Sequence, residues 1–259
     1  MKKHLLVLSA VIASFPALFF CGCEKEDPDA IKMEDVNKGI QIIIGKDGKE
    51  YQVVDLGLNS DNLWAVCNIG ATSPEETGSR FAWGEIEPKQ NFSWSNYRWA
   101  NGDNLNLTKY NGDSNRGTVD GKLKLEIADE APNAIMGEDW RLPTSMDYGE
   151  LLKPANCNKK WCKLNGVGGY LFTSVRKGYE GNSIFIPLSG MMDNTSIRFE
   201  GQYGWYWSNE IYYDNGEKKQ YDYTQADAFL LEHSEVDNHY VDKRPRSVGL
   251  PIRPIYIGE

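Results

Sequence analysis

After Pro154 the chain offers only short apolar stretches: "GGYLFTS", "SIFIPLSG", "GWYWSNEIYY", "DAFLLEH" and "SVGLPIRPI". Each is rich in β-branched or aromatic residues, and each is bounded by Gly, Asn, Asp or Pro. Runs this short predict strands, because the bounding residues supply turn conformations or remove a backbone donor before a helix can propagate. Earlier, "IQIIIGKDGKEYQVVDLG" sets Asp47-Gly48 between two β-branched runs. That is a hairpin signal, and a type I′ turn there would need positive φ at both central residues. From residue 59 to 122, Asn, Gly, Asp and Ser are interleaved with aromatics without a 3.6-residue period, which predicts long loops and short strands.

Helix signals occur at two places. One lies around Leu125–Ala131, where Pro132 must end the helix or mark a break. The other opens in "EDWRLPTSMDYGELL". Pro143 keeps the backbone out of a helix until Thr144, whose hydroxyl can accept from a free first-turn N–H, and Asp147 puts acidic charge at the helix start. Trp140, Arg141, Pro143 and Thr144 thereby read as architectural. Arg141, on a buried aromatic strand, would reach for carbonyls or a carboxylate. The expected architecture is α+β, with two helices, small antiparallel sheets and long loops.

The first residues read differently from the rest. Lys2 and Lys3 precede an uncharged apolar run from Leu5 to Phe20, the pattern of an export signal. As a helix the run would reach only about 24 Å against a hydrocarbon core of about 30 Å, and Pro16 interrupts it. The following "LFFCGCEKEDPD" resembles the lipobox of bacterial lipoproteins, with Gly22 before Cys23 and Phe20 three residues before it. Cleavage there would leave Cys23 to carry the lipid, including an acyl chain such as palmitate, since two or three chains hold a protein on a bilayer where one does not. The expected division is a signal peptide over 1–22, a flexible charged linker over 23–38 and a single domain over 39–259. Glu24, Lys25, Glu26 and Asp27 look like the acidic tags that send Bacteroidetes-type lipoproteins to the outer face of the outer membrane.

Loss of residues 1–22 would move the formal charge from -9 to -11, because it removes two lysines. A chain this acidic repels phosphate backbones, which excludes nucleic acid as the expected partner. It leaves the lipid as the membrane contact. Cys67, Cys157 and Cys162 remain in the domain, and an oxidising compartment suggests one bridge plus one buried thiol, with no pair singled out.

"VDLGLNSDNLWAVCNIGATSPEETGSRFAWGEIEPK", "WRLPT", "GYLFTS", "IFIPLSG", "GWYWSNE" and "RSVGLPIRP", in that order, resemble the Fibrobacter succinogenes major paralogous domain family over about residues 40–257. The resemblance implies a C-type-lectin-like fold shared with formylglycine-generating enzymes. Those enzymes use a C-terminal cysteine pair that binds copper. Residues 163 to 259 contain no cysteine, so that chemistry is not expected here, and neither a catalytic residue, a cofactor nor a metal is predicted.

Other chemistry is weak in the sequence. His233, Glu235, Asp237 and His239 alternate in "EHSEVDNH", a spacing a transition metal could use on an extended strand, but the stretch reads equally as a hairpin tip. "NGDNLNLTKYNGDSNRGTVDGK" is rich in oxygen ligands, yet Gly117 comes one position early for a calcium loop and Lys124 stands where its Glu belongs. No nucleophile elbow or phosphate-cradling Gly loop is present. The stretch "YGWYWSNEIYYDNGEKKQYDY" is the best candidate for recognition. As a strand it places Trp205 and Trp207 on one face and Tyr206 and Ser208 on the other, so either pair can be core. The candidate ligand contacts are Trp205, Trp207, Asn209, Tyr212, Tyr213, Tyr221, Tyr223 and His239, residues suited to a glycan or protein ligand. The expected function is that of a non-catalytic, surface-exposed adhesion or receptor lipoprotein. A fimbria-like envelope subunit and a receptor-type protein diversified by a retroelement are the alternatives.

Overall fold

The computed structural model describes residues 27–36, 38–216, 219–233 and 241–258. The expected signal peptide, the lipid-bearing Cys23 and His239 lie outside them. The strands are β1 (Ala30–Ile31), β2 (Ile40–Ile44), β3 (Glu50–Val54), β4 (Leu63–Ala65), β5 (Arg80–Phe81), β6 (Trp140–Arg141), β7 (Cys157–Leu164) and β8 (Val167–Ser174). They continue with β9 (Ser183–Pro187), β10 (Met191–Asp193), β11 (Ser196–Arg198), β12 (Tyr203–Asp214), β13 (Gln220–Glu232), β14 (Val241–Pro245), β15 (Leu250–Pro251) and β16 (Ile255–Tyr256). The α-helices are α1 (Met33–Val36), α2 (Ala131–Met136) and α3 (Ser145–Leu151).

These strands form a four-stranded sheet β1-β7-β8-β9, a five-stranded sheet β2-β3-β4-β16-β6, a three-stranded sheet β12-β13-β14 and the pairs β15-β5 and β10-β11. The molecule is therefore mostly β, and the expected α+β, C-type-lectin-like architecture is not what the chain adopts. The helices stay short for local reasons. Pro132 occupies the first turn of α2, where its missing N–H is harmless, and Gly137 at φ +137 closes the same helix. The helix expected over Leu125–Ala131 is replaced by a 3-10 turn at Ile127–Asp129, with α2 following it. Pro154 lies just beyond α3 and keeps it to two turns.

The start at Thr144 is as anticipated. Thr144 Oγ1 accepts from the Asp147 N–H at 3.2 Å, and the Thr144 N–H donates back to Asp147 Oδ2 at 2.8 Å, a reciprocal capping box. The early hairpin forms as β2–β3, but its turn is not type I′. Only Gly48 has positive φ, at +76, while the Gly48 N–H bonds Gly45 O and the Gly45 N–H bonds Lys49 O. That is a three-residue loop whose left-handed third residue makes a bulge.

The flexible linker also ends sooner than expected. β1 pairs in parallel with Lys163 and Leu164 of β7, and Val36 is buried against Cys162, Leu164 and Phe185. Ile31, Met33 and Val36 are spaced so that this otherwise charged segment can dock an apolar side on the domain.

β12 and β13 lie between two cores. On one face Trp205, Trp207, Ile211, Ala226, Ala228 and Leu230 join a cluster around Trp83, Phe81 and Leu250. On the other, Tyr206, Phe229 and Leu231 meet Tyr148 and Leu151 of α3 together with Phe172 and Ile184. A sheet covered on both sides reads as a nearly continuous apolar run, which explains "YGWYWS". No cysteine among Cys67, Cys157 and Cys162 is bridged, contrary to the expected disulfide. Cys157 and Cys162 are five apart on β7, so they face opposite sides and enter separate clusters.

Two arginines of "RPRSVGLPIRP" are fully buried without a carboxylate. The Arg246 guanidinium packs against Trp83, Tyr97 and Tyr110 and donates to the Tyr97 hydroxyl and to the carbonyls of Lys109, Tyr110 and Tyr223. Arg253 donates to Asn68 Oδ1 and to the carbonyls of Ala65, Val66 and Phe185. Each planar fork ties segments distant in sequence by satisfying carbonyls that would otherwise be stranded.

Candidate ligand-binding surface

The "WRLPT" segment supports the sheet above it. Trp140 is buried edge-on against Tyr51 and Tyr256. Arg141 Nη1 donates to the carbonyls of Glu138 and Trp140. The Pro143 carbonyl accepts from the Asn209 N–H at 3.2 Å, joining this turn to β12. Each of these contacts lies within the fold.

Trp205, Trp207 and Asn209, named as candidate ligand contacts, do not present themselves to a ligand. Trp205 and Trp207 are 3% and 0% exposed. The Trp207 indole N–H donates to Phe81 O at 2.7 Å and that of Trp205 to Asp242 Oδ2 at 3.1 Å. Coverage of both sheet faces removes the exposed face that an isolated alternating strand would have. Asn209 is turned inward, its amide nitrogen 3.4 Å from Glu130 Oε1 and its oxygen buried without a partner.

The tyrosines toward the far end of the hairpin are brought together. β12 and β13 change register beyond Trp207 and again beyond Ile211, and this sets Tyr213 opposite Tyr221. Their rings meet edge-to-face at 4.8 Å, and Tyr223 continues the row at 6.0 Å from Tyr221. Tyr213 and Tyr221 are 43% and 36% exposed, so the row is supported by its own members while its rings stay open to solvent. Gly112 makes room for Tyr223, since a side chain there would collide with the phenol. Burial and the adjacent Tyr221 push the Tyr223 hydroxyl above its ordinary pKa, so it remains a neutral donor. Tyr212 lies on the opposite face beneath Lys243, whose ammonium is 4.9 Å from its ring. The ladder therefore comprises Tyr213, Tyr221 and Tyr223, with Tyr212 serving a separate surface.

His233 packs its ring on Trp161 at 3.9 Å. Glu235, Asp237 and His239 lie outside the described residues. In the oxygen-rich loop, the Asp120 carboxylate accepts the N–H groups of Tyr110, Asn111 and Lys122, and Asp113 accepts from Asn115. These carboxylates organise their own loop, and among the described residues no cluster of His, Cys, Asp and Glu is arranged to hold a metal.

One polar cluster was not anticipated. Ser145 Oγ donates to Asp227 Oδ2 at 3.0 Å, the Ser145 N–H lies 3.2 Å from Glu210 Oε2, and Lys124 pairs with Glu210 at 2.8 Å. Burial first, and then the Glu210 charge, lift Asp227 to about 7, while Lys124 and Ser145 hold Glu210 below its ordinary value. Its sequence signal is faint, a single aspartate inside "QADAFLL". The Ser145 hydroxyl is taken up by the Asp227 carboxyl, and among the described residues no histidine is bonded to either. A groove of about 650 Å³ runs along α3 between Asn59, Asn62, Met146, Glu150 and Lys153. Its polar groups are tied to one another, as in the 2.8 Å bond from Asn62 to Asp147.

Set against known proteins, the chain matches no family model, no curated protein and no solved structure.

Proposed function

We propose that this chain is a non-catalytic, lipid-anchored surface protein of the outer membrane whose domain binds an extracellular glycan or protein through the Tyr213–Tyr221–Tyr223 ladder. The observation that carries the reading is that row of half-open phenol rings toward one end of the β12–β13 hairpin. Flat apolar faces with polar tips stack on sugar rings or seat in a partner's pocket, and rings already held by their neighbours lose little side-chain entropy on binding. The net acidity favours neutral or basic ligands over polyanions. The lipobox around Cys23 and the acidic residues after it support the anchoring half of the proposal.

The test uses the chain without its first 22 residues on a glycan array and in pull-downs from cell surfaces, alongside Tyr221→Ala. A ligand retained by the native domain and lost by Tyr221→Ala at unchanged thermal stability is expected. No ligand in either format, or full retention by the variant, ends the ladder reading. Mass spectrometry of the mature amino terminus tests the anchor, which requires a diacylglyceryl group on Cys23.

A further inference from the structure

We propose that β2 is a dimerisation edge, pairing antiparallel with β2 of a second copy of this chain across a two-fold axis at Ile42. Among the described residues β2 bonds only to β3 and is the outer strand of its sheet. The Gly45 N–H donates to Lys49 O, which sets the alternation of the ladder: Gly45, Ile43 and Gln41 bond inward to β3. Ile40, Ile42 and Ile44 consequently aim their N–H and C=O groups outward.

The same segment, "IQIII", contains no charge and no proline, and Ile42 and Ile44 are 55% and 63% exposed. Edge strands that must stay unpaired carry guards, and this molecule guards another edge in that way. β14, the outer strand of its sheet, is "VDKRP", with Lys243, Arg244 and Pro245. β9 has all five of its residues buried. β2 carries neither charge nor proline, and an apolar edge left open in this way is a ready template for another strand.

A second copy is the occupant because the strand complements itself. With Ile42 opposite Ile42 of the other copy, Ile40 and Ile44 face one another in both halves, so no charge enters the ladder. Gly39 at φ +70 and the turn at Gly45 end the strand on either side, taking Lys38 and Lys46 out of the pairing. The opposite edge of the sheet, β6, presents Trp140, which is buried. One open edge per sheet makes the contact isologous, so it closes as a dimer and does not run on as a filament.

The chain without its first 22 residues, with Cys23→Ser to remove the terminal thiol, is examined by sedimentation across micromolar to millimolar loading. A reversible monomer–dimer equilibrium is expected, tightening as salt screens the repulsion between two acidic copies. Ile42→Lys should abolish it at unchanged thermal stability. In that register the paired Cα atoms of residue 42 lie about 5.5 Å apart, within disulfide range. Ile42→Cys should thus form a crosslinked dimer under mild oxidation, whereas Gln41→Cys, facing the other side, should not. A monomer at every loading, an Ile42→Lys dimer as tight as the native one, or equal crosslinking at 41 and 42 would each overturn the proposal.

Discussion

Replacing Arg253 tests whether a charge without a counter-charge can hold this fold. The guanidinium is fully buried and donates to Asn68 Oδ1 at 2.8 Å, Ala65 O at 3.1 Å, Phe185 O at 3.0 Å and Val66 O. Arg253→Met fills similar volume and removes all of these donors. Leaving each acceptor unpaired costs on the order of 1 kcal/mol at the low end, about 4 kcal/mol together. Removing the charge returns part of the desolvation penalty, so a net loss of about 3 kcal/mol is expected. For a domain of this size that is a fall in Tm of about 6–12 °C. Arg253→Lys should do no better, because one ammonium cannot span carbonyls on β4 and β9 and the amide of Asn68 together. Urea denaturation with an unchanged slope measures both. An Arg253→Lys protein within about 0.5 kcal/mol of native would refute the reasoning, since a charge alone would then suffice.

Four other outcomes follow. Thr144→Ala, which breaks the capping box with Asp147, should cost about 1 kcal/mol by the same denaturation assay. Asp227 is raised to about 7 in the fold, so its contribution to stability is complete below its ordinary value of 3.8 and is lost as pH climbs through about 7. Native protein should therefore weaken between about pH 4 and about pH 7 relative to Asp227→Asn, and parallel pH profiles would count against the burial of this carboxyl. Burial pushes the thiols of Cys157 and Cys162 up to about 12 and about 11. Among these three domain thiols, alkylation of the native protein at neutral pH should reach Cys67 at most, and reductant should leave Tm unchanged, as intact-mass measurement and a thermal scan will show. Gly112→Ala, placed against the Tyr223 phenol, should displace that ring and weaken ligand binding more than stability.

What the chain wrote locally, it kept. Thr144 with Asp147 announces a helix start because a cap is satisfied within four residues, and Asp47-Gly48 announces a hairpin because a left-handed glycine closes it. The strands after Pro154 are legible for the same reason, since their bounding residues act at short range. The helix lengths were legible only in part: Pro132 was read as an ending or a break, and it stands in the first turn of α2. Which face of "YGWYWS" meets solvent was not legible at all, because the answer depends on a second core assembled from residues as far as 175 positions apart in sequence, such as Val54 and Phe229. The ladder of Tyr213, Tyr221 and Tyr223 depends likewise on register shifts between strands, and the buried forks of Arg246 and Arg253 on carbonyls gathered from distant turns. Local conformation is decided by neighbours along the chain, whereas exposure and register are decided by what packs across it, and the recognition surface belongs to the second kind.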